Sequence, residues 1–245
     1  MRTVGVDLAA EPMGTAVATI DWSAGQASLS GLVVGAEDST IVDAITQADK
    51  AGIDCPLGWP APFVAFVAAH HCGHVTVPHD LAGRRRLAYR ETDFAVRATT
   101  GRWPLSVATD RIGRPAMRAA GLLARLASGG HPVDRSGEGV VVEVYPAASL
   151  RLWKLPDRGY KGPANLAHLS ALVDRLREAA DWLALGAYED LCRVADHAVD
   201  AVIAAMTARA AAQGLTAPPR SDQLVAARSE GWIALPIAPI GALKP

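Results

Sequence analysis

Along the early part of the chain the apolar pattern changes period from block to block. Thr3–Ala9 (TVGVDLA) is a short apolar run with an acid, Asp7, near its end. Thr15–Trp22 and Ala27–Val34 are rich in β-formers and are separated by Ser23-Ala24-Gly25. That composition predicts three sequential strands joined by short turns. Thr40–Lys50 places Ile41, Ala44, Ile45 and Ala48 on one helical face. Ala51–Cys55 then reads as a buried strand stopped by Pro56. The predicted order is strand, strand, strand, helix, strand.

The pattern changes after Pro56. Pro60-Ala61-Pro62 leads into an apolar helix over Phe63–His71, followed by an irregular stretch rich in His and Gly. Pro115–Ala127 is helical and is ended by Gly129-Gly130. Val140–Tyr145 (VVVEVY) is the strongest strand signal in the chain, and helices follow at about Ala164–Ala180 and Tyr188–Gln213. The tail, with Trp232–Leu235 and its prolines, reads as an edge segment or a packed arm. No repeat or low-complexity linker divides the chain. One domain over 1–245 with a helical insertion at about 57–138 is expected.

Composition bounds this picture without changing it. The chain has 245 residues, half of them apolar and a fifth charged, the balance of a globular protein with a large core. The net charge of −1 gives no overall pull toward nucleic acid or membrane, so a nucleic-acid partner would rely on local patches. One exists: residues 84–118 hold nine arginines against Glu91, Asp93 and Asp110. Cys55, Cys72 and Cys192 are too few and scattered for a disulfide framework. No charged-then-apolar leader precedes the first strand, and no apolar run approaches the roughly 18 residues that span a bilayer. A cytoplasmic protein without a membrane partner is expected. The oligomeric state is not legible.

Acids stand where packing alone gives no reason for them. Asp7 and Asp54 lie at the ends of the first and fourth strands, and Glu143 interrupts the apolar fifth. Asp196, His197 and Asp200 open an Ala-rich helix. In a sheet whose order reverses at the first strand, strands one and four are parallel neighbours whose carboxyl ends bracket the ligand crevice. Asp196 and Asp200 at i,i+4, or His197 and Asp200 at i,i+3, share a helix face. Ala201, Ala204 and Ala205 keep that helix thin enough to lie close to the sheet. Two like charges about 4 Å apart repel by about 4 kcal/mol at an effective dielectric near 20. Converging carboxylates therefore hold protons at raised pKa or bind a cation. All-oxygen ligands suit Mg²⁺ or Mn²⁺. Each residue also has a plainer reading: Asp7 as a turn residue, Asp196 as a helix-start charge, Glu143 as an arginine's partner.

Several strings are distinctive. Val4-Gly5-Val6-Asp7, Gly52-Ile53-Asp54-Cys55-Pro56, Thr100-Gly101-Arg102-Trp103-Pro104, Thr109-Asp110-Arg111-Ile112-Gly113 and Val142-Glu143-Val144-Tyr145-Pro146 together resemble family 429 of the domains of unknown function, from Gly5 to about Pro236. That family is viewed as a predicted nuclease group with a ribonuclease H-like fold. The resemblance implies an α/β, ribonuclease H-like mixed five-stranded sheet of order 3-2-1-4-5, flanked by helices, with the helical insertion between strands 4 and 5. The run Asp196–Asp200 is similar to the closing motif of Holliday-junction resolvases, where a His or Asp three residues before an Asp completes a metal site. This similarity implies Asp7, Asp54, His197 and Asp200 as the metal-binding set, with Asp196 an extra candidate. The second acid departs from the resolvase pattern, being Asp54 where those enzymes usually carry Glu.

The expected function is metal-dependent phosphodiester hydrolysis of nucleic acid, with Asp7, Asp54, Asp200, His197, Asp196 and Glu143 as candidate catalytic residues and Mg²⁺ or Mn²⁺ as cofactor. Arg102, Arg111 and Lys161 are the candidate phosphate contacts and Trp103 the candidate base-stacking residue; Trp103 as core is the alternative. Tyr160-Lys161-Gly162 reads as a loop aimed at something the sequence does not name. Two rivals stand beside the nuclease. One is a phosphotransferase or ATPase of the actin-like superfold, suggested by Val4–Asp7 with Gly14-Thr15, though no second lobe or phosphate loop follows. The other is a non-catalytic binding or regulatory protein. His70-His71-Cys72-Gly73-His74 with His79 matches no usual zinc spacing and reads as a surface turn with a partly buried cysteine.

Overall fold

The computed structural model describes residues 1–74, 78, 80–108 and 110–245; His79 and Thr109, named in the motifs above, lie outside the described residues. Three strands open the chain: β1 (Arg2–Asp7), β2 (Ala16–Ser23) and β3 (Gln26–Val34), paired antiparallel in sequence order. Helix α1 (Asp38–Thr46) buries Ile41 and Ile45, the face its period predicted. It crosses to β4 (Lys50–Asp54), which runs parallel to β1 with Asp7 opposite Asp54.

The insertion follows as α2 (Ala61–His71), α3 (Leu81–Ala88), α4 (Glu91–Thr100) and α5 (Asp110–Ser128). Strand β5 (Val141–Glu143) then pairs parallel to β4. It is shorter than the predicted Val140–Tyr145, because Pro146 begins α6 (Pro146–Leu152) and turns the chain out of the sheet. After α7 (Leu166–Ala179) comes β6 (Leu183–Ala184). Among the described residues the sheet has six strands, in the order β5-β4-β1-β2-β3-β6. The expected order is present inside it, and the five-strand expectation is corrected by β6. Two residues are too short to show a period. This strand is held by its pairing with β3 and by Trp182, whose ring lies 5.5 Å from that of Trp22.

The helix expected over Tyr188–Gln213 is broken. Ala195 is extended (φ −128°, ψ 109°) and separates α8 (Glu189–Val194) from α9 (Asp196–Ala212), so Asp196 begins a new helix. The tail forms the expected edge segment after α10 (Leu224–Glu230), with Ile233 bridging parallel to Glu143.

Helices cover both faces. Val4, Val6 and Ile53 pack with Ile41 and Leu122 on one side, and Ile20 and Leu29 pack with Ile203 and Leu172 on the other. Alternation puts Gly5 and Gly52 on the α9 side. A Cβ on Gly5 would sit 2.0 Å from Ala201 O and 2.2 Å from Ala205 N, and one on Gly52 would sit 2.6 Å from Ala204 O. The α9 backbone therefore rests directly on β1 and β4. Its alanines supply half of this close approach and the two glycines the other half. No helix among the described residues is long and apolar enough to cross a membrane.

Candidate functional site

The two-residue period that aims Gly5 and Gly52 at α9 also aims Asp7 and Asp54 there, one step on at the strand ends. Asp200, one turn ahead of Ala204, meets them. One carboxylate oxygen from each of Asp7, Asp54 and Asp200 lies within 4.8 Å of the others. Asp200 is fully buried and Asp7 nearly so. Burial, with the nearby Asp7 charge adding to it, pushes the Asp54 carboxyl well above the usual range. Burial likewise raises Asp200 to about 6, against the opposing pull of Lys161.

The loop between α6 and α7 closes over Asp200. Tyr160 Oη donates to Asp200 Oδ1 at 2.8 Å, and Lys161 Nζ stands 2.5 Å from Asp200 Oδ2. That contact is charge-assisted, an ammonium against a fully buried carboxylate oxygen. Burial works against the Lys161 charge, but Asp200 and Asp54 outweigh it and hold the ammonium protonated. Gly162 (φ +88°) lets the loop turn, and its N–H donates to Asp196 Oδ2 at 2.7 Å. Asp196 therefore anchors the loop at the start of α9. His197 Nδ1 donates to Asp7 Oδ2 at 2.7 Å, and this bond raises the histidine pKa against the effect of burial.

The chain matches the model of a family described as a protein of unknown function, DUF429, over residues 5–223. It belongs to the DUF429 family. The match spans Asp7, Asp54 and Asp200 together, and it ends short of the Pro236 to which the motif resemblance extended. No curated protein and no solved structure matches the chain.

In this DUF429 protein the other residues singled out from sequence go to varied places. Glu143 is buried and committed to Arg90: its two oxygens take Nη1 and Nη2 at 2.8 and 2.7 Å, and Leu57 N–H donates to it at 3.0 Å. The arginine reading of Glu143 is the one its geometry matches. Arg102 pairs with Asp157. Trp103 stacks on Tyr89, with ring centroids 4.3 Å apart, and meets Phe94 edge-on, so it belongs to an aromatic cluster of the insertion. Arg111 lines the cleft above the carboxylates and, among the described residues, has no side-chain partner. His70, His71 and His74 are exposed, as is Cys72, which was expected to be partly buried; α2 is covered on no side deeply enough to bury it. Among the described residues the aspartate triad is the one group of three or more ligand-type side chains close enough to share an ion.

The cleft encloses about 700 Å³. Its floor carries Asp7, Asp54, Lys161 and His197, and the insertion contributes Pro104, Leu105, Arg111 and Ile112 as a wall. Sequence reading missed four contributing residues. Tyr160 sat in a string flagged only as a loop. Arg90 was one of nine arginines, and the acid inside β5 was the signal that one of them had to be its partner. Gly5 and Gly52 were read inside motifs and not as the seats for α9.

Proposed function

We propose that this protein is a nuclease that uses Mg²⁺ or Mn²⁺ to hydrolyse phosphodiester bonds in nucleic acid, on a ribonuclease H-like sheet. One observation carries the proposal: three carboxylates from β1, β4 and α9 within 4.8 Å of one another, at the strand ends where such sheets bind ligands. The donor set fits a hard divalent cation. It is all oxygen, and three carboxylates crowded within 4.8 Å of one another call for positive charge between them. Asp7, Asp54 and Asp200 would hold the ion. The chemistry it supplies when bound is activation of water and neutralisation of charge at the phosphate.

Hydrolysis joins a water oxygen to phosphorus as that water gives up a proton to solvent, and breaks the bond to the departing sugar oxygen, which takes up a proton. His197 holds a proton against Asp7 Oδ2 and is half exposed at the rim, a position from which it can donate to that oxygen. Lys161 and Arg111 border the same cleft and orient the phosphate. Tyr160 fixes Asp200 from behind. The Lys161–Asp200 pair favours a second reading, a binding protein in which the lysine already balances the buried charge.

A Mn²⁺ titration followed by thermal melting decides between them. Wild type is expected to gain about 2.7 kcal/mol at 100 times the dissociation constant, and Asp7→Asn to gain nothing. Cleavage of labelled oligonucleotides is expected to follow the same metal dependence. Equal melting points with and without Mn²⁺ would remove the nuclease reading.

A further inference from the structure

We propose that the cleft takes nucleic acid as a single unpaired strand, one or two nucleotides at a time, with a phosphate on Arg111 and a base against Tyr145 and Leu105. The inference rests on the nuclease reading and names its substrate class. A volume of about 700 Å³ belongs to the range of small-ligand sites, about 300–1,000 Å³. Duplex recognition works differently. It relies on many cations tracking successive phosphates, and five of the arginines around the cleft are already paired with acids. Arg86 pairs with Glu91, Arg90 with Asp93 and Glu143, Arg102 with Asp157, Arg114 with Glu11 and Arg118 with Asp38.

Three groups in the cleft, by contrast, have unmet capacity. Arg111 is exposed with no side-chain partner among the described residues. Tyr145 is half-buried in the wall, and its hydroxyl makes no hydrogen bond among the described residues. Leu105 keeps 47% of its surface exposed beside them. A guanidinium, a phenol ring and an aliphatic face together suit a phosphate and the face of an unstacked base. A duplex hides its base faces in the stack, so only a strand that is already single presents them without an unpairing cost.

The test is fluorescence anisotropy with a short labelled single strand and its blunt duplex, in buffer with Ca²⁺, using wild type, Arg111→Gln and Tyr145→Leu, all checked for an unchanged melting point. Wild type is expected to hold the single strand at least about tenfold tighter than the duplex, and each variant to lose about tenfold on the single strand. Tyr145→Leu should leave the weak binding of inorganic phosphate intact, and Arg111→Gln should reduce it. Equal or tighter duplex binding, or variants that bind the strand like wild type, overturns the inference. Metal-dependent cleavage confined to duplex would do so while leaving the nuclease reading in place. Strand binding as expected without any Mn²⁺ effect on melting would remove the nuclease reading and keep this one.

Discussion

Lys161 Nζ lies 2.5 Å from Asp200 Oδ2, so the innermost carboxylate of the cluster has a cation supplied by the protein itself. A divalent ion seeking the same oxygen competes with that ammonium. Lys161→Met is therefore expected to cost stability in EDTA and to tighten Mn²⁺ binding several-fold. The lysine side chain is more than half exposed, so the loss should be about 1–3 kcal/mol, below the ~3–5 kcal/mol typical of a fully buried pair. Urea unfolding and calorimetric Mn²⁺ titration measure the two effects. Weaker Mn²⁺ binding in the variant would show that the lysine supports the ion and does not compete with it.

The same cluster sets a pH dependence. Asp200, raised from 3.8 to about 6, binds its proton more tightly in the folded than in the unfolded chain, so stability falls as pH rises through that window. Asp54 is raised by burial and acts with the same sign. His197, raised by its bond to Asp7, contributes stability that is present below the ordinary histidine value and is lost as pH climbs through the folded one. All three groups act in one direction. In EDTA the protein is expected to melt higher near pH 5 than near pH 8, by on the order of 2 kcal/mol. Because cation binding needs the deprotonated carboxylates, Mn²⁺ should stabilise most above about pH 6. A melting point in EDTA that rises across this range would contradict the assignment.

Asp54→Asn separates repulsion from ligation. Replacing one of three crowded carboxylates with an amide relieves a like-charge contact, so the melting point in EDTA should increase. The same change removes an oxygen ligand, so the Mn²⁺-induced increase should vanish. The opposite signs in EDTA and Mn²⁺ are the signature. A variant that is destabilised under both conditions would point to a purely structural Asp54.

Gly5→Ala tests the seat of α9. Its new Cβ would meet backbone atoms at 2.0 and 2.2 Å, neither of which is the end of a flexible side chain. Overpacking of this kind costs about 1–3 kcal/mol or more, and relief requires lifting α9 from β1. Asp200 would move with it. Gly5→Ala is expected to lower the melting point and to weaken Mn²⁺ binding together, whereas Gly25→Ala, at an open turn, should leave Mn²⁺ binding as in wild type. Unchanged metal affinity in a folded Gly5→Ala protein would disconnect helix seating from the site.

Glu143 and Arg90 form the deep ion pair beside the cleft, both about 2% exposed. Arg90 also reaches Asp93 and the carbonyl of Glu230, so it ties α4, β5 and α10 together. Arg90→Met strands a buried carboxylate and should cost about 3–5 kcal/mol. Glu143→Gln should lower stability too, yet leave the Mn²⁺ shift of melting in place. Loss of that shift in Glu143→Gln would move Glu143 into the ligand set.

How far the chain discloses itself differs between elements. Local pattern was enough for β1 to β4 and α1, since each carries its own period and its own stop signal, whereas the 3-2-1-4-5 order came from the family resemblance. It was also enough to bring Asp7, Asp54 and Asp200 into one hypothesis, because strand ends and helix spacing are local geometry. Pattern failed where structure rests on distant partners. β6 is two residues held by β3, the break at Ala195 serves the docking of α9, and Glu143 depends on an arginine 53 positions earlier in the chain. By itself, then, the sequence determined which faces are apolar, where strands end, and that acids gather at those ends, all consequences of neighbouring residues. Only the tertiary structure decided which acid pairs with arginine, which meets lysine, and which arginine lines the cleft. Those outcomes depend on distances between segments that no period along the chain encodes.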